Sequence, residues 1–204
     1  MSHDMAFFDV VKARRTIYAL DNSSTIPDSR IKEIIETVVL HAPSTFNSQT
    51  SRLVVLLKSE HEKLWDLIWD IMRATIPADH LKGTEDKLKG FRGAYGTVLF
   101  FEDPQPTKEL QTKLPRYADK FPVWAQHTSA IHQYIIWAAF AAEGLGANLQ
   151  HYNPLIDQKV KETWNIPLEY SLVAQMPFGK PLGPPIEKTF RPLEERLTFH
   201  GLDA

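Results

Sequence analysis

The segment from Pro122 to Glu143 places the first constraint on the fold, because it has helical character and is apolar almost all round. A helix on the surface of a soluble protein keeps one polar face. A helix without one needs cover on every side, which makes this a central or interface helix. Gly144-Leu145-Gly146 ends it by supplying a residue that tolerates the left-handed conformation just past the last turn. Those glycines close a helix, whereas the glycines of a dinucleotide-binding fingerprint open one after a strand, so the Rossmann reading fails. The longest apolar run, Ile135 to Ala142, falls well short of the roughly 18 residues needed to span a bilayer.

Around that helix the chain alternates irregularly between helices and strands. Residues from about Asp4 form a short helix ending near Arg14-Arg15, with Phe7, Val10 and Val11 at helical spacing. Pro27-Asp28-Ser29 opens a second helix, whose Ile31, Ile34, Ile35, Val38 and Val39 share one face. Leu53 to Leu57 reads as a first buried strand. Ser59-Glu60-His61-Glu62 has the pattern of a capping box opening a third helix, with Leu64, Leu67, Ile68 and Ile71 inward. Ala78 to Gly93 is polar and Lys-rich, and reads as an excursion without an assigned element. Thr97 to Phe101 is a second strand, stopped by Asp103-Pro104. A third strand begins near Ala147, a helix follows Pro154, and Ser171 to Met176 is a fourth strand. The Pro- and Gly-rich tail from Phe178 packs again at Leu193 to Leu197. This is not a strict β-α-β rhythm, so the expected class is α+β, with helices flanking a small mixed sheet.

Composition bounds the rest. At 204 residues and 43% hydrophobic content, the chain suits one domain over 1–204. A net charge of -2 gives no electrostatic case for nucleic acid or an anionic membrane. The start, Met-Ser-His-Asp, lacks the basic and apolar regions of a signal peptide, and a cytoplasmic location is expected. With no cysteine, thiolate chemistry and Cys-ligated zinc are excluded. The P-loop, nucleophile-elbow and H-E-x-x-H motifs are missing, and His127 and His132 are badly spaced for one metal. No metal site is expected.

Two polar features remain. Pro43-Ser44-Thr45-Phe46-Asn47-Ser48-Gln49 crowds side-chain donors between a buried helix and a buried strand, where a single capping residue would suffice. Arg14-Arg15-Thr16 closes the first helix, and Lys188 and Arg191 sit in the tail. Taken singly, these are ordinary caps, turns and surface cations. Together they suit a ligand rich in oxygen and nitrogen, since arginine grips phosphate with a fork of N–H donors.

Arg14-Arg15-Thr16, Ala42-Pro43-Ser44-x-x-Asn47-Ser48-Gln49, Gly144-Leu145-Gly146-Ala147 and Gly179-Lys180-Pro181 followed by Lys188-x-x-x-Pro192 stand in an order that resembles the nitroreductase family of flavoproteins. Arg-Arg-Thr-Ile-Tyr, Asn-Ser-Gln-Thr, Gly96-Thr-Val-Leu-Phe-Phe-Glu-Asp and Leu149-Gln-His-Tyr-Asn are similar to its branch named for the fungal fatty-acid repression mutant protein. The likeness covers almost the whole chain.

The resemblance implies a homodimer holding two FMN molecules at its interface, with the long apolar helix as dimer core and a mainly antiparallel sheet. By position, Arg14, Arg15 and Thr16 would contact the ribityl phosphate and pyrimidine side, and Lys188, with Arg191 second, would neutralise the phosphate. Pro43, Ser44, Thr45 and Asn47 would come from the other subunit, with Gln49 supporting that loop. The backbone of Leu149, Gln150 and His151 would lie along the N5–O4 edge. No side chain would be catalytic, because flavin N5 carries the chemistry: hydride from NADH or NADPH, then reduction of nitroaromatics or quinones, in ping-pong order. Tyr18 stands where many members carry a cation near flavin N1 and O2, which would pass that role to Lys87 or Lys89. His151 stands where many relatives have glutamate. Phe46, Tyr117, Phe121 and Trp124 are candidates to stack on a flat substrate. The alternatives are a flavin-binding protein of stress or lipid signalling with little turnover, and a dimerisation module that has lost its cofactor.

Overall fold

Alternation along one strand organises the molecule. In a computed structural model describing residues 6–202, the strand Gly96–Glu102 is buried along its whole length. Its Val98 and Phe100 join one core cluster, while Leu99 and Phe101 join another. Successive side chains of a strand point to opposite faces, so a strand buried at every position must lie inside a sheet covered on both sides.

The elements in chain order are α1 (Phe7–Ala13), β1 (Leu20–Asp21), α2 (Asp28–His41), β2 (Ser51–Leu57), α3 (Ser59–Thr75), α4 (Ala78–Arg92), β3 (Gly96–Glu102), α5 (Pro104–Lys113), α6 (Phe121–Ala142), β4 (Gly146–Ala147), α7 (Asp157–Thr163) and β5 (Ser171–Pro181). The sheet runs β1-β5-β3-β2, with β4 also on β5, and every strand pair is antiparallel. One isolated parallel bridge joins Thr16 to Ala147. The α+β class and the mainly antiparallel sheet are as the sequence indicates. On one face Ile31, Ile34, Ile35 and Val38 of α2 meet Ile136 and Phe140 of α6. On the other, Leu64, Trp65 and Ile68 of α3 pack with Leu88 and Phe91 of α4 and Val160 of α7.

Several local expectations change. The proposed start of the first helix at Asp4 lies outside the described residues. The capping box does not form: Lys58 is the N-cap, at φ 54°, and Ser59 is already helical with no side-chain cap. A tight turn from β2 into α3 leaves no extended residue in front of Ser59. The unassigned stretch from Ala78 is α4, held to α3 by two buried side chains, Leu88 and Phe91. Asp103-Pro104 ends β3 and also starts α5, with Asp103 accepting from the Gln105 N–H at 2.9 Å. The fourth strand continues to Pro181, where it pairs with β1. Gly179 permits that pairing, since a Cβ there would stand 2.3 Å from the Asp21 carbonyl oxygen. Gly144 ends α6 at φ +77°, as expected of a left-handed cap. Leu193 to Leu197 does not pack again within its own chain; it forms one 3-10 turn with Leu193 65% exposed.

Candidate flavin site

After α1 the chain passes beside β4. Ile17 N–H donates to Ala147 C=O at 3.0 Å, and the Asn148 side chain donates to Ile17 C=O at 2.9 Å. Gln150 donates in turn to Asn148 Oδ1 at 2.7 Å. The Arg14-Arg15-Thr16 and Leu149-Gln150-His151 segments, 133 positions apart at their near ends, are thereby fixed side by side. Arg14, Arg15, Thr16 and Lys188 line one cleft of about 410 Å3. Gln150 lines a second of about 460 Å3 with Lys87, Gly90, Phe91 and Tyr152. Tyr18 borders both clefts, so the two adjoin at that residue.

Two donors in this region are unanswered. Among the described residues, Arg14 Nε and Trp137 Nε1 are buried without a hydrogen-bond partner, and the Arg14 guanidinium lies 4.4 Å from the Trp137 ring centroid. A buried donor left unpaired costs free energy, and native proteins usually supply an acceptor. The side chains that line the cleft, Arg14, Arg15, Thr16 and Lys188, suit a ligand rich in phosphate oxygen, so the donor set here fits a flavin mononucleotide. Arg15 already donates through Nη2 to the Ile186 carbonyl, which ties the tail to the cleft. Lys188 lies 5.0 Å over the Phe190 ring. Arg191 is exposed and borders neither cleft.

The backbone of Gln150 is spent on the sheet. Its N–H donates to Gln175 C=O at 2.7 Å and its C=O accepts from Gln175 N–H at 2.9 Å. The amides of Leu149 and His151 alternate with it and have no such bond among the described residues, so they are the better placed donors. Of the two lysines considered, Lys87 lines the Gln150 cleft, whereas Lys89 is paired with Glu85 at 2.7 Å.

Pro43 to Gln49 lies elsewhere. Phe46 packs against Phe121 and Trp124, with ring centroids 5.8 and 6.4 Å away. Those rings belong to the first turn of α6, and Arg14 rests on Trp137, 13 residues further on. At about 1.5 Å per residue, the loop is about 20 Å along the helix from the arginine cleft. One chain therefore does not bring the loop and the arginines together. The aromatic candidates do gather: Tyr117 and Phe121 flank Trp124 at 6.1 and 5.4 Å.

A cleft of about 710 Å3 between α3 and α7 is a weaker candidate. Its rim charges are neutralised locally, with Asp66 held by Arg92, Asp70 by Arg73 and Lys159 near Glu162.

This chain, with its antiparallel sheet, long uncharged helix and cationic cleft at the edge of β4, belongs to the nitroreductase family of oxidoreductases, whose sequence profile matches residues 11–180. The nitroreductase FRM2 of Saccharomyces cerevisiae, the fatty-acid repression mutant protein, is 32% identical over 192 residues, covering 93% of this chain and 95% of that one. The nitroreductase CinD from Lactococcus lactis, solved with chloramphenicol, is 41% identical with a TM-score of 0.86, over 96% of this chain and 100% of that one. The FMN-dependent nitroreductase NfnB from Mycobacterium smegmatis, solved with NADPH, shares the fold at 14% identity and a TM-score of 0.73, over 95% and 97% of the two chains.

Proposed function

We propose that this protein is an FMN-dependent oxidoreductase that passes electrons from NADH or NADPH to nitroaromatics or quinones by a ping-pong mechanism. The observation that carries the reading is the single cleft lined by Arg14, Arg15, Thr16 and Lys188, beside which Arg14 rests on the Trp137 ring. The ligands in the CinD and NfnB structures, a nitroaromatic compound and NADPH, favour the same two substrates here.

Arg14, Arg15 and Lys188 supply positive charge for a phosphate, while Arg191 would have to move to reach it. Lys87 takes the place of the cation missing at Tyr18 and stabilises negative charge on the pyrimidine edge. Leu149 and His151 offer backbone N–H groups along the opposite edge, while Gln150 holds that segment to β5. Bound FMN supplies hydride acceptance and electron donation. The chain positions the reactants and limits water, and no side chain acts as a nucleophile.

The site is completed by a second copy of the chain. Val123, His127, Ile131 and Tyr134 form an uncharged exposed stripe on α6, with Val123 52% exposed. The tail adds Ile186, Phe190 and Phe199, all exposed in their own chain. Apolar surface on this scale marks an interface. Pairing two copies there would let Pro43, Ser44, Thr45, Asn47 and Gln49 of one subunit reach the cleft of the other. The whole chain acts as one domain. No helix among the described residues is long and apolar enough to cross a membrane; the location proposed is the cytoplasm.

The test is spectroscopic and kinetic. Purified protein reconstituted with FMN should show a protein-bound flavin spectrum, and should oxidise NADH or NADPH faster when 4-nitrophenol or a quinone is added. Failure to bind FMN refutes the cofactor assignment. Binding without acceptor-dependent turnover refutes the enzymatic reading and favours the signalling one.

A further inference from the structure

The loop from Ser44 to Gln49 has a conformation that its sequence does not favour. Phe46, Asn47 and Gln49 adopt positive φ, at 52°, 53° and 50°. Asparagine tolerates that region, but phenylalanine and glutamine do not enter it without constraint. Bonds within the loop fix its shape: Asn47 N–H donates to Ser44 C=O, and Gln49 N–H to Ser44 Oγ, both at 3.0 Å. They do not fix where the loop stands on the body of the protein.

Two ties do that. In the middle, Phe46 rests on Phe121 and Trp124. At the end, Arg52 on β2 reaches back, and its Nη1 donates to Gln49 C=O at 2.7 Å and to Ser51 C=O at 3.1 Å. Its Nη2 donates to Asp103 Oδ2 at 2.8 Å. Asp103 is itself immobile: its side chain is 10% exposed, its Oδ1 caps α5, and its N–H donates to Thr50 C=O at 2.9 Å. An exposed ion pair contributes little. Here, however, one partner is nearly buried and the arginine's fork makes three bonds at once, one of them to the last left-handed residue.

We propose that Arg52 and Asp103 form a clamp that holds the loop in the conformation presented to the partner subunit's flavin, which makes Arg52 a positioning residue for the cofactor across the dimer. The proposal rests on the reading of the loop as a cross-subunit flavin contact. Arg52 touches the loop and lines neither cleft, so its effect on binding passes through Gln49. Lysine keeps the charge but lacks the fork, and asparagine at 103 keeps a cap for α5 but loses the charged acceptor.

The experiment compares wild type with Arg52→Ala, Arg52→Lys and Asp103→Asn, using two readouts. The first is amide hydrogen exchange of the apoprotein. Faster exchange confined to Asn47, Ser48 and Gln49 in Arg52→Ala is expected, with β2 and β3 unchanged. The second is FMN binding by quenching of flavin fluorescence. A Kd raised roughly tenfold or more is expected for Arg52→Ala, with Arg52→Lys between it and wild type. Unchanged loop exchange, or exchange accelerated throughout β2 and β3, overturns the clamp. Unchanged Kd with faster loop exchange overturns its link to the flavin. If wild type takes up no FMN, the cofactor reading fails, while the exchange result still decides whether the clamp exists.

Discussion

Acid should loosen the helix that walls the Gln150 cleft, through a single buried histidine. His61 on α3 is fully buried. Its Nδ1 lies 2.8 Å from Thr97 Oγ1, and its Nε2 lies 3.2 Å from the Arg92 carbonyl at the end of α4. Trp65 Nε1 donates to the same Thr97 hydroxyl at 3.1 Å. A neutral ring with its proton on Nε2 satisfies every member: Nε2 donates to Arg92, and Thr97 accepts from Trp65 while donating to Nδ1. Burial, aided by the nearby Arg92 charge, lowers the His61 pKa from 6.5 to about 4. Between those values the unfolded chain binds a proton that the native state refuses. Stability from this group is therefore complete above about pH 6.5 and falls as pH drops toward 4. At roughly 1.4 kcal/mol per pH unit, the full loss is about 3 kcal/mol. The assay is urea unfolding of the apoprotein, at one fixed protein concentration, followed by far-UV circular dichroism at pH 7.5 and pH 5. His61→Gln keeps a donor for Arg92 but cannot titrate, so its stability should fall by about 2 kcal/mol less than wild type between those pH values. Parallel losses in the two proteins would refute the reasoning.

Three further outcomes follow from the same contacts. Trp137→Leu removes the surface on which Arg14 lies together with an unanswered donor, and should weaken FMN binding by about tenfold, measured by equilibrium titration. Ile131→Asp puts a charge into the uncharged stripe of α6 and should shift sedimentation toward monomer at micromolar protein, with loss of FMN; an unshifted dimer would place the interface elsewhere. Burial pushes the Glu102 carboxyl up, although its Oε1 accepts from Ser51 Oγ at 2.5 Å. A carboxyl so raised costs stability as pH climbs through its folded pKa, so Glu102→Gln should gain on wild type in melting temperature from pH 5 to pH 8.

The parts of the fold legible in the sequence are those whose burial repeats along the chain. Four of the five aliphatic residues expected on one face of α2 are buried, Val39 being 44% exposed, and the apolar run of β3 and the length of α6 identify themselves as well. Illegible elements draw their stability from elsewhere. Only Leu88 and Phe91 of α4 are buried, and Gly83 and Gly90 weaken its intrinsic preference. Strand β1 is two residues long and exists only through its pairing with β5. The capping pattern at Ser59 failed because the turn geometry at Lys58 came first. For α5 a signal was present, since Asp-Pro serves as a helix start as readily as a strand stop. At the site, the residue types were readable but not their distribution. That Gln150 spends its backbone on Gln175, that Trp137 carries Arg14, and that Arg52 holds Gln49 are all tertiary facts.

The central claim, that each flavin site is built from two chains, has a direct test in mixed dimers. One chain carries Arg14→Ala and the other Asn47→Ala, joined by co-expression with two affinity tags. If loop and arginines of one site come from different subunits, the heterodimer pairs an intact Arg14 with an intact loop at one site and both lesions at the other. It should bind one FMN per dimer with wild-type affinity, although each mutant homodimer binds weakly. Weak binding at both sites of the heterodimer would contradict the account.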